Sequence, residues 1–187
     1  MTLTKNNFRQ KCLQKIKKVP QYNKFYKNFL INRALLKELE HFEEKKRLKI
    51  LFFHPLPYEA DIRKVLQKMR KKHDVFVPFM EGESFKMVPF RLPLKKKKFG
   101  IFEAGNTIKK NNKIDIAIVP AVGVDGNMQR IGFGKGMYDR FFAKLQEKPY
   151  TIFIQPELCY TNKVLCDSYD ITCDVLITPT KIMHKLG

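Results

Sequence analysis

Three glycines at alternate positions, Gly132, Gly134 and Gly136, stand between Arg130 and Asp139 in the segment RIGFGKGMYDR. Glycines at that spacing let backbone N–H groups turn inward and approach a ligand that any Cβ would hold off. Such a loop suits a phosphate. Arg130, Lys135 and Arg140 supply cations for phosphate oxygens, and Asp139 supplies a carboxylate for a divalent metal. Neither common nucleotide motif fits. A P-loop requires GxxxxGK followed by Ser or Thr, whereas Lys135 is followed by Gly136 and Met137. A dinucleotide fingerprint requires GxGxxG directly after the first strand, and this loop reads GxGxG after a polar insertion. Spacing alone also leaves open a glycine-rich hairpin with charged flanks.

The elements that must hold this loop are legible on either side of it. The run Ile116, Ala117, Ile118, Val119, stopped by Pro120, is short and β-branched, as suits a central parallel strand packed on both faces. A helix is expected from about Asp139 to Gln146. Upstream, residues 3 to 16 place Leu3, Phe8, Cys12, Leu13 and Ile16 at helical spacing. Lys5 and Arg9, four apart, share one face of that helix, either as a solvated basic face or as part of a site. Residues 24 to 47 carry a longer helical pattern through Phe25, Phe29, Ala34, Leu35, Leu36, Leu39 and Phe42.

Lys49 to Phe53 reads as the first strand and ends at His54 and Pro55. Glu59 and Asp61 follow, just before a helix carrying Ile62, Val65, Leu66 and Met69. In open α/β sheets ligands bind beyond the carboxyl ends of strands, so Glu59 stands where a site residue would be; a helix N-terminal acid is the competing role. Further strands are expected at Val75 to Pro78, Tyr150 to Ile154 and Asp174 to Thr178, with an edge strand through Phe85, Met87, Val88 and Phe90. Lys95 to Lys98 reads as an exposed loop and Gly100 to Glu103 as the approach to a turn. The predicted fold class is α/β, a three-layer, mostly parallel sheet with helices on both faces in a single domain over residues 1–187.

Composition bounds the function. The chain has 187 residues, 44% hydrophobic, with 16 Phe and no Trp, and it carries a formal net charge of +19. Such a charge raises nucleic acid, membranes and anionic substrates as partners. The lysines recur in every surface segment rather than in one patch, which indicates solvated faces. Cysteines at 12, 159, 166 and 173 have no metal-ligand spacing, and without a secretory segment no disulfide framework is expected. His41, His54, His73 and His184 are likewise scattered. No apolar run approaches the roughly 20 residues of a membrane span. A reduced, soluble, cytoplasmic protein is the expectation, binding neither nucleic acid nor membrane. No GxSxG elbow points to acyl transfer; carboxylates, cations and a glycine loop are the parts of a phosphoryl-transfer site.

With these residues in view, the chain resembles the 5-formyltetrahydrofolate cyclo-ligases, also called 5,10-methenyltetrahydrofolate synthetases. That family's pattern, a strand ending in VPG, then D, two residues, G, one residue and RLGYGKGYYDR, is matched by Val119, Pro120, Ala121, Asp125, Met128 and Arg130 to Arg140. Lys5 and Arg9 match its KxxxR helix, Glu59 and Asp61 its ExD, Gly100, Ile101 and Glu103 its GIxE, and Asp170 and Asp174 its paired acids. Ala121 and Met128 replace glycines, Met137 replaces a Tyr and Ala104 replaces a Pro.

The resemblance implies ATP- and Mg²⁺-dependent closure of 5-formyltetrahydrofolate to 5,10-methenyltetrahydrofolate, with release of ADP and phosphate. It further implies that Lys135, Arg130 and Asp139 are catalytic. ATP would be held by Lys5, Arg9, Arg130, Ile131, Gly132, Phe133, Gly134, Lys135, Gly136, Met137 and Tyr138. The folate would meet His54, Glu59, Phe133 and Met137, and Asp139 and Asp174 would hold Mg²⁺. The lysine surplus suggests a polyglutamylated folate, and a monomer is expected. Two readings compete: a family member that binds folate without turnover, prompted by Met128 and Met137, and a basic nucleic-acid-binding protein, prompted by charge alone.

Overall fold

The computed structural model describes residues 2–42, 47–91 and 113–185, with the backbone alone at 95–96 and 102–103. Gly100, Ile101 and Ala104 lie outside the described residues. Two helices open the chain, α1 (Lys5–Lys17) and α2 (Gln21–Glu40). Thr4 caps α1 by accepting the Asn7 N–H at 3.2 Å. Then come β1 (Lys49–Leu51), α3 (Arg63–Met69), β2 (Asp74–Glu81) and β3 (Ser84–Pro89). Two-residue strands β4 (Lys95–Lys96) and β5 (Phe102–Glu103) pair with each other. They are followed by β6 (Ile116–Pro120), β7 (Gly123–Val124), β8 (Arg130–Ile131), α4 (Met137–Phe142), β9 (Tyr150–Ile154), β10 (Val175–Ile177) and β11 (Ile182–His184).

Seven strands form one sheet in the order β11-β10-β9-β6-β1-β2-β3. The five central strands are parallel, and β3 and β11 close the edges antiparallel. The period of two in each strand divides the core between the faces. In β6, Ile116 and Ile118 join the cluster under α2 and α3, with Leu35, Leu39 and Leu66. Ala117 and Val119 point the other way, into the cluster that holds Phe141 of α4. Fully burying such a side chain contributes about 1.5–3 kcal/mol, so an unbroken β-branched run fits the sheet centre and nowhere else. The predicted three-layer α/β fold, mostly parallel with helices on both faces, is the one observed.

Chain order along the sheet reverses between β1 and β6: β1 leads through α3 outward to β2, and β6 leads through α4 outward to β9 in the other direction. A crevice at the carboxyl ends of such neighbours is where open α/β sheets hold ligands. The loop after β1 carries His54 and Glu59, and the stretch after β6 carries the glycine loop.

Three expectations are corrected. Phe25 and Phe29 do not join the core: α2 buries Ile31, Leu35 and Leu39 and leaves Tyr22, Phe25, Tyr26 and Phe29 exposed on its opposite face. The polar insertion before the glycine loop is not a simple turn but the small hairpin β7–β8, which places Arg130 in a strand. Cys12 and Cys159 are joined as a disulfide, contrary to the reduced reading, and only Cys166 and Cys173 are free. Their 147-residue separation hides the pairing from any spacing rule. It arises because α1 packs Phe8, Cys12 and Ile16 against Val122, Ile131 and Cys159 in a third cluster.

Candidate active site

Arg130 is the most constrained cation in the molecule's crevice. Its strand buries it, its Nε donates to the carbonyl of Pro120 at 2.8 Å, and its guanidinium lies 4.8 Å from the centre of the Tyr138 ring. Burial pushes its pKa down, and the nearby Asp139 carboxylate pushes it back up. Gly132 is required by this placement, since a Cβ there would stand 2.4 Å from Arg130 Nη1. Gly134 and Gly136 take left-handed φ of +99° and +58°, which side chains adopt only at a cost of roughly 1–2 kcal/mol. Alternation with other residues is thereby explained at all three positions.

The N-terminal helix closes on this loop. Arg9 Nε donates to the Gly132 carbonyl at 2.8 Å, and Lys5 Nζ lies 2.5 Å from Asp170 Oδ2 and 3.3 Å from Asp167 Oδ2. Burial works against the Lys5 charge, yet the bond and field of Asp170 outweigh it and raise its pKa. Lys5, Arg9, Arg130, Asp139, Arg140 and Asp170 line, with the three glycines, a pocket of about 390 Å³. Four cations against two carboxylates suit a polyanion.

Not every expected residue enters it. Lys135 is exposed on the loop itself. Arg140 reaches the pocket but spends its guanidinium on carbonyls: Nε donates to Glu83 at 2.9 Å and Nη2 to Lys135 at 2.5 Å, tying the β2–β3 turn to the loop. Asp174 is not brought to the pocket. It precedes β10, at the amino end of the parallel strands, and its Oδ2 accepts the Thr151 N–H at 2.7 Å. Asp170 takes the place expected for it.

On the β1 side, Glu59 is half-buried and its Oε2 accepts the Leu56 N–H at 2.9 Å. Burial pushes its carboxyl up to about 7, opposed by that bond and by the Arg130 charge. His54 is half-buried, and burial and Arg63 lower its pKa. Phe133 is exposed on the glycine loop, 4.9 Å from the ring of Tyr58. Met137 is half-buried against the Phe141 cluster, its carbonyl accepting from Ser84 Oγ at 3.2 Å. Tyr138 packs edge-on against Phe85 at 4.9 Å, and burial raises its pKa.

Asp125 has no contact with the pocket but frames it. Fully buried, it accepts Asn127 N and Gln129 N on Oδ1, both at 3.0 Å, and Leu165 N and Cys166 N on Oδ2, both at 2.9 Å. Within the same turn Met128 adopts φ of +58°, where the family pattern has a glycine. Its side chain is buried in the core, and that burial offsets the backbone cost.

The model of the 5-formyltetrahydrofolate cyclo-ligase family matches residues 1–179. The chain belongs to that family. It is 25% identical over 175 residues to a probable 5-formyltetrahydrofolate cyclo-ligase of Schizosaccharomyces pombe, covering 82% of this chain and 86% of the relative. It is 28% identical over 162 residues to the 5-formyltetrahydrofolate cyclo-ligase of Mycoplasma pneumoniae, covering 83% and 96%. Its fold is that of the 5,10-methenyltetrahydrofolate synthetases of Aquifex aeolicus, with TM-score 0.80 and 24% identity over 99% of this chain and 94% of that one, and of M. pneumoniae, with TM-score 0.71 and 23% identity over 95% and 99%. As a cyclo-ligase family member this chain is an enzyme, and the glycine loop, α1 and the Glu59 loop all fall within the matched residues. Among the described residues no helix is long and apolar enough to cross a membrane.

Proposed function

We propose that this enzyme closes 5-formyltetrahydrofolate to 5,10-methenyltetrahydrofolate at the expense of ATP. The observation that carries the reading is Arg130, buried and fixed between Pro120 and Tyr138 at the wall of a cationic, glycine-lined pocket. The formyl oxygen attacks the γ-phosphorus, and ADP leaves. The carbon, now bearing phosphate as a leaving group, is captured by the N10 lone pair. Inorganic phosphate departs with the former formyl oxygen, and N10 gives up its proton. Charge accumulates on phosphate oxygens throughout, so fixed donors aimed there stabilise the transition state without reorganising.

In this scheme the backbone from Arg130 to Tyr138, including Ile131 and Gly132 to Gly136, cradles the triphosphate. Lys5, Arg9, Arg130 and Lys135 supply its counter-charge. Glu59, His54, Phe133 and Met137 form the folate side, the carboxyl of Glu59 serving as a hydrogen-bonding anchor. Asp139 fits a Mg²⁺ ion carried by the nucleotide: its Oδ1 accepts only a long 3.4 Å bond from Ile171 N among the bonds described, leaving oxygen available. Among the described residues no group of three or more His, Cys, Asp or Glu could hold a metal, which suits an ion that takes its other ligands from phosphate and water. When bound, Mg²⁺ neutralises phosphate charge. Mixing purified protein with ATP, Mg²⁺ and 5-formyltetrahydrofolate is expected to generate the methenyl chromophore with one ADP per turnover. Tight folate binding with no chromophore and no ADP would instead establish a non-catalytic folate binder.

A further inference from the structure

We infer that Tyr58, together with Phe133, forms an aromatic clamp that grips a flat ring of the folate and sets the affinity of the folate half of the site. This deepens the reading above and rests on it. The two rings come from different loops, one leaving β1 and one following β6 and its hairpin, and they meet with centroids 4.9 Å apart at an interplanar angle of 56°. Tyr58 is 42% exposed and Phe133 36%. A single exposed aromatic is ordinary on a protein surface, but here two loops that share only the switch point of the sheet bring two together. The tilt leaves them as an open V rather than a closed stack. A planar guest can lie against one ring and meet the edge of the other, the two arrangements aromatic pairs favour.

The neighbours assign the chemistry of that guest. Glu59 follows Tyr58 directly and is half-buried, so a polar edge of the guest has a carboxyl beside the clamp. Arg130, whose charge reaches Glu59, faces the phosphate pocket on the other side. A flat ring in the V therefore lies between an anchor for its polar edge and the cations for a transferring phosphate. The other exposed aromatics, Tyr22, Phe25, Tyr26 and Phe29, lie along the solvent face of α2 and have no such neighbours.

The test is equilibrium binding of 5-formyltetrahydrofolate and, separately, of ATP to wild type, Tyr58→Ala, Tyr58→Phe and Tyr22→Ala. Ring stacking of this kind is lost on alanine substitution with roughly a five- to hundredfold change in affinity. Tyr58→Ala is expected to weaken folate binding within that range and leave ATP binding within twofold, with Tyr58→Phe and Tyr22→Ala close to wild type. Competition by a reduced pterin and by p-aminobenzoylglutamate then distinguishes which ring occupies the V, since only that fragment loses affinity in Tyr58→Ala. Unchanged folate binding in Tyr58→Ala overturns the clamp while the ligase reading stands. Parallel weakening of folate and ATP also overturns it, because the pair then only ties the two loops together. A wild-type chain that binds ATP but no folate overturns both.

Discussion

Lys5 Nζ sits 2.5 Å from Asp170 Oδ2, so the first helix of the chain is tied by charge to the segment that precedes β10. Asp170 is buried and also accepts the Asp167 N–H at 2.7 Å. The lysine is therefore held in place before any phosphate arrives, and its ammonium has a third proton to offer.

Lys5→Met keeps most of the stem and removes the charge. It is expected to raise KM for ATP by about tenfold, the loss of one charge-assisted bond, and to cost roughly 1–2 kcal/mol because Asp170 loses its partner. Steady-state kinetics with each substrate varied, together with urea melts, check this. A KM for ATP equal to wild type would remove Lys5 from the phosphate site.

Arg130→Lys conserves charge but not the planar fork that reaches Pro120 and lies over Tyr138. Turnover is expected to fall on the order of a hundredfold, the magnitude of losing one fixed transition-state donor. Folding should suffer much less, as read by thermal melting. A fall in melting temperature large enough to account for the lost activity would make Arg130 a structural residue.

Glu59 has its folded pKa raised from 4.5 to about 7, so the folded state holds a proton that the unfolded chain releases. The sign follows: stability falls as pH rises from about 4.5 toward about 7 and is level above that. Glu59→Gln, which retains an acceptor for Leu56 N, is expected to melt with wild type at pH 4.5 and above it at pH 8. Equal melting temperatures at pH 8 would show that the carboxyl ionises freely.

Asp125→Ala orphans four buried N–H groups at once. At roughly 1–3 kcal/mol each, with partial relief by water, the variant should lose about 4 kcal/mol or more and much of its soluble yield. Asp125→Asn, which can still accept two of the four bonds, is expected to fall between. Chemical denaturation of both variants decides it, and near-wild-type stability in Asp125→Ala would refute the framing role.

Much of this arrangement was legible in the chain because it is local. The glycine alternation, the Lys5–Arg9 face and the β-branched run of β6 each declare themselves within a dozen residues. The hidden parts are those that depend on contacts between distant segments. Asp125 stood in the family pattern without a role, since two of its partners, Leu165 and Cys166, lie forty residues on. Asp170 and Asp174 are equivalent as sequence. Only the depth at which β10 enters the sheet sends one to the pocket and the other to Thr151. Phe25 and Phe29 fit a helical period, but the period does not say which face is covered. Tyr58 carried no signal, because its partner comes from another loop.

The reversal of strand order between β1 and β6 has one more consequence. The loop that holds Glu59 and Tyr58 and the loop that holds the phosphate cations spring from neighbouring strands, yet their chains diverge at once toward opposite edges of the sheet. Either loop can thus be rebuilt without disturbing the scaffold of the other. The site is a seam between two interchangeable halves, so grafting a different loop after β1 offers a way to present new acyl substrates to an unaltered phosphate-activating half.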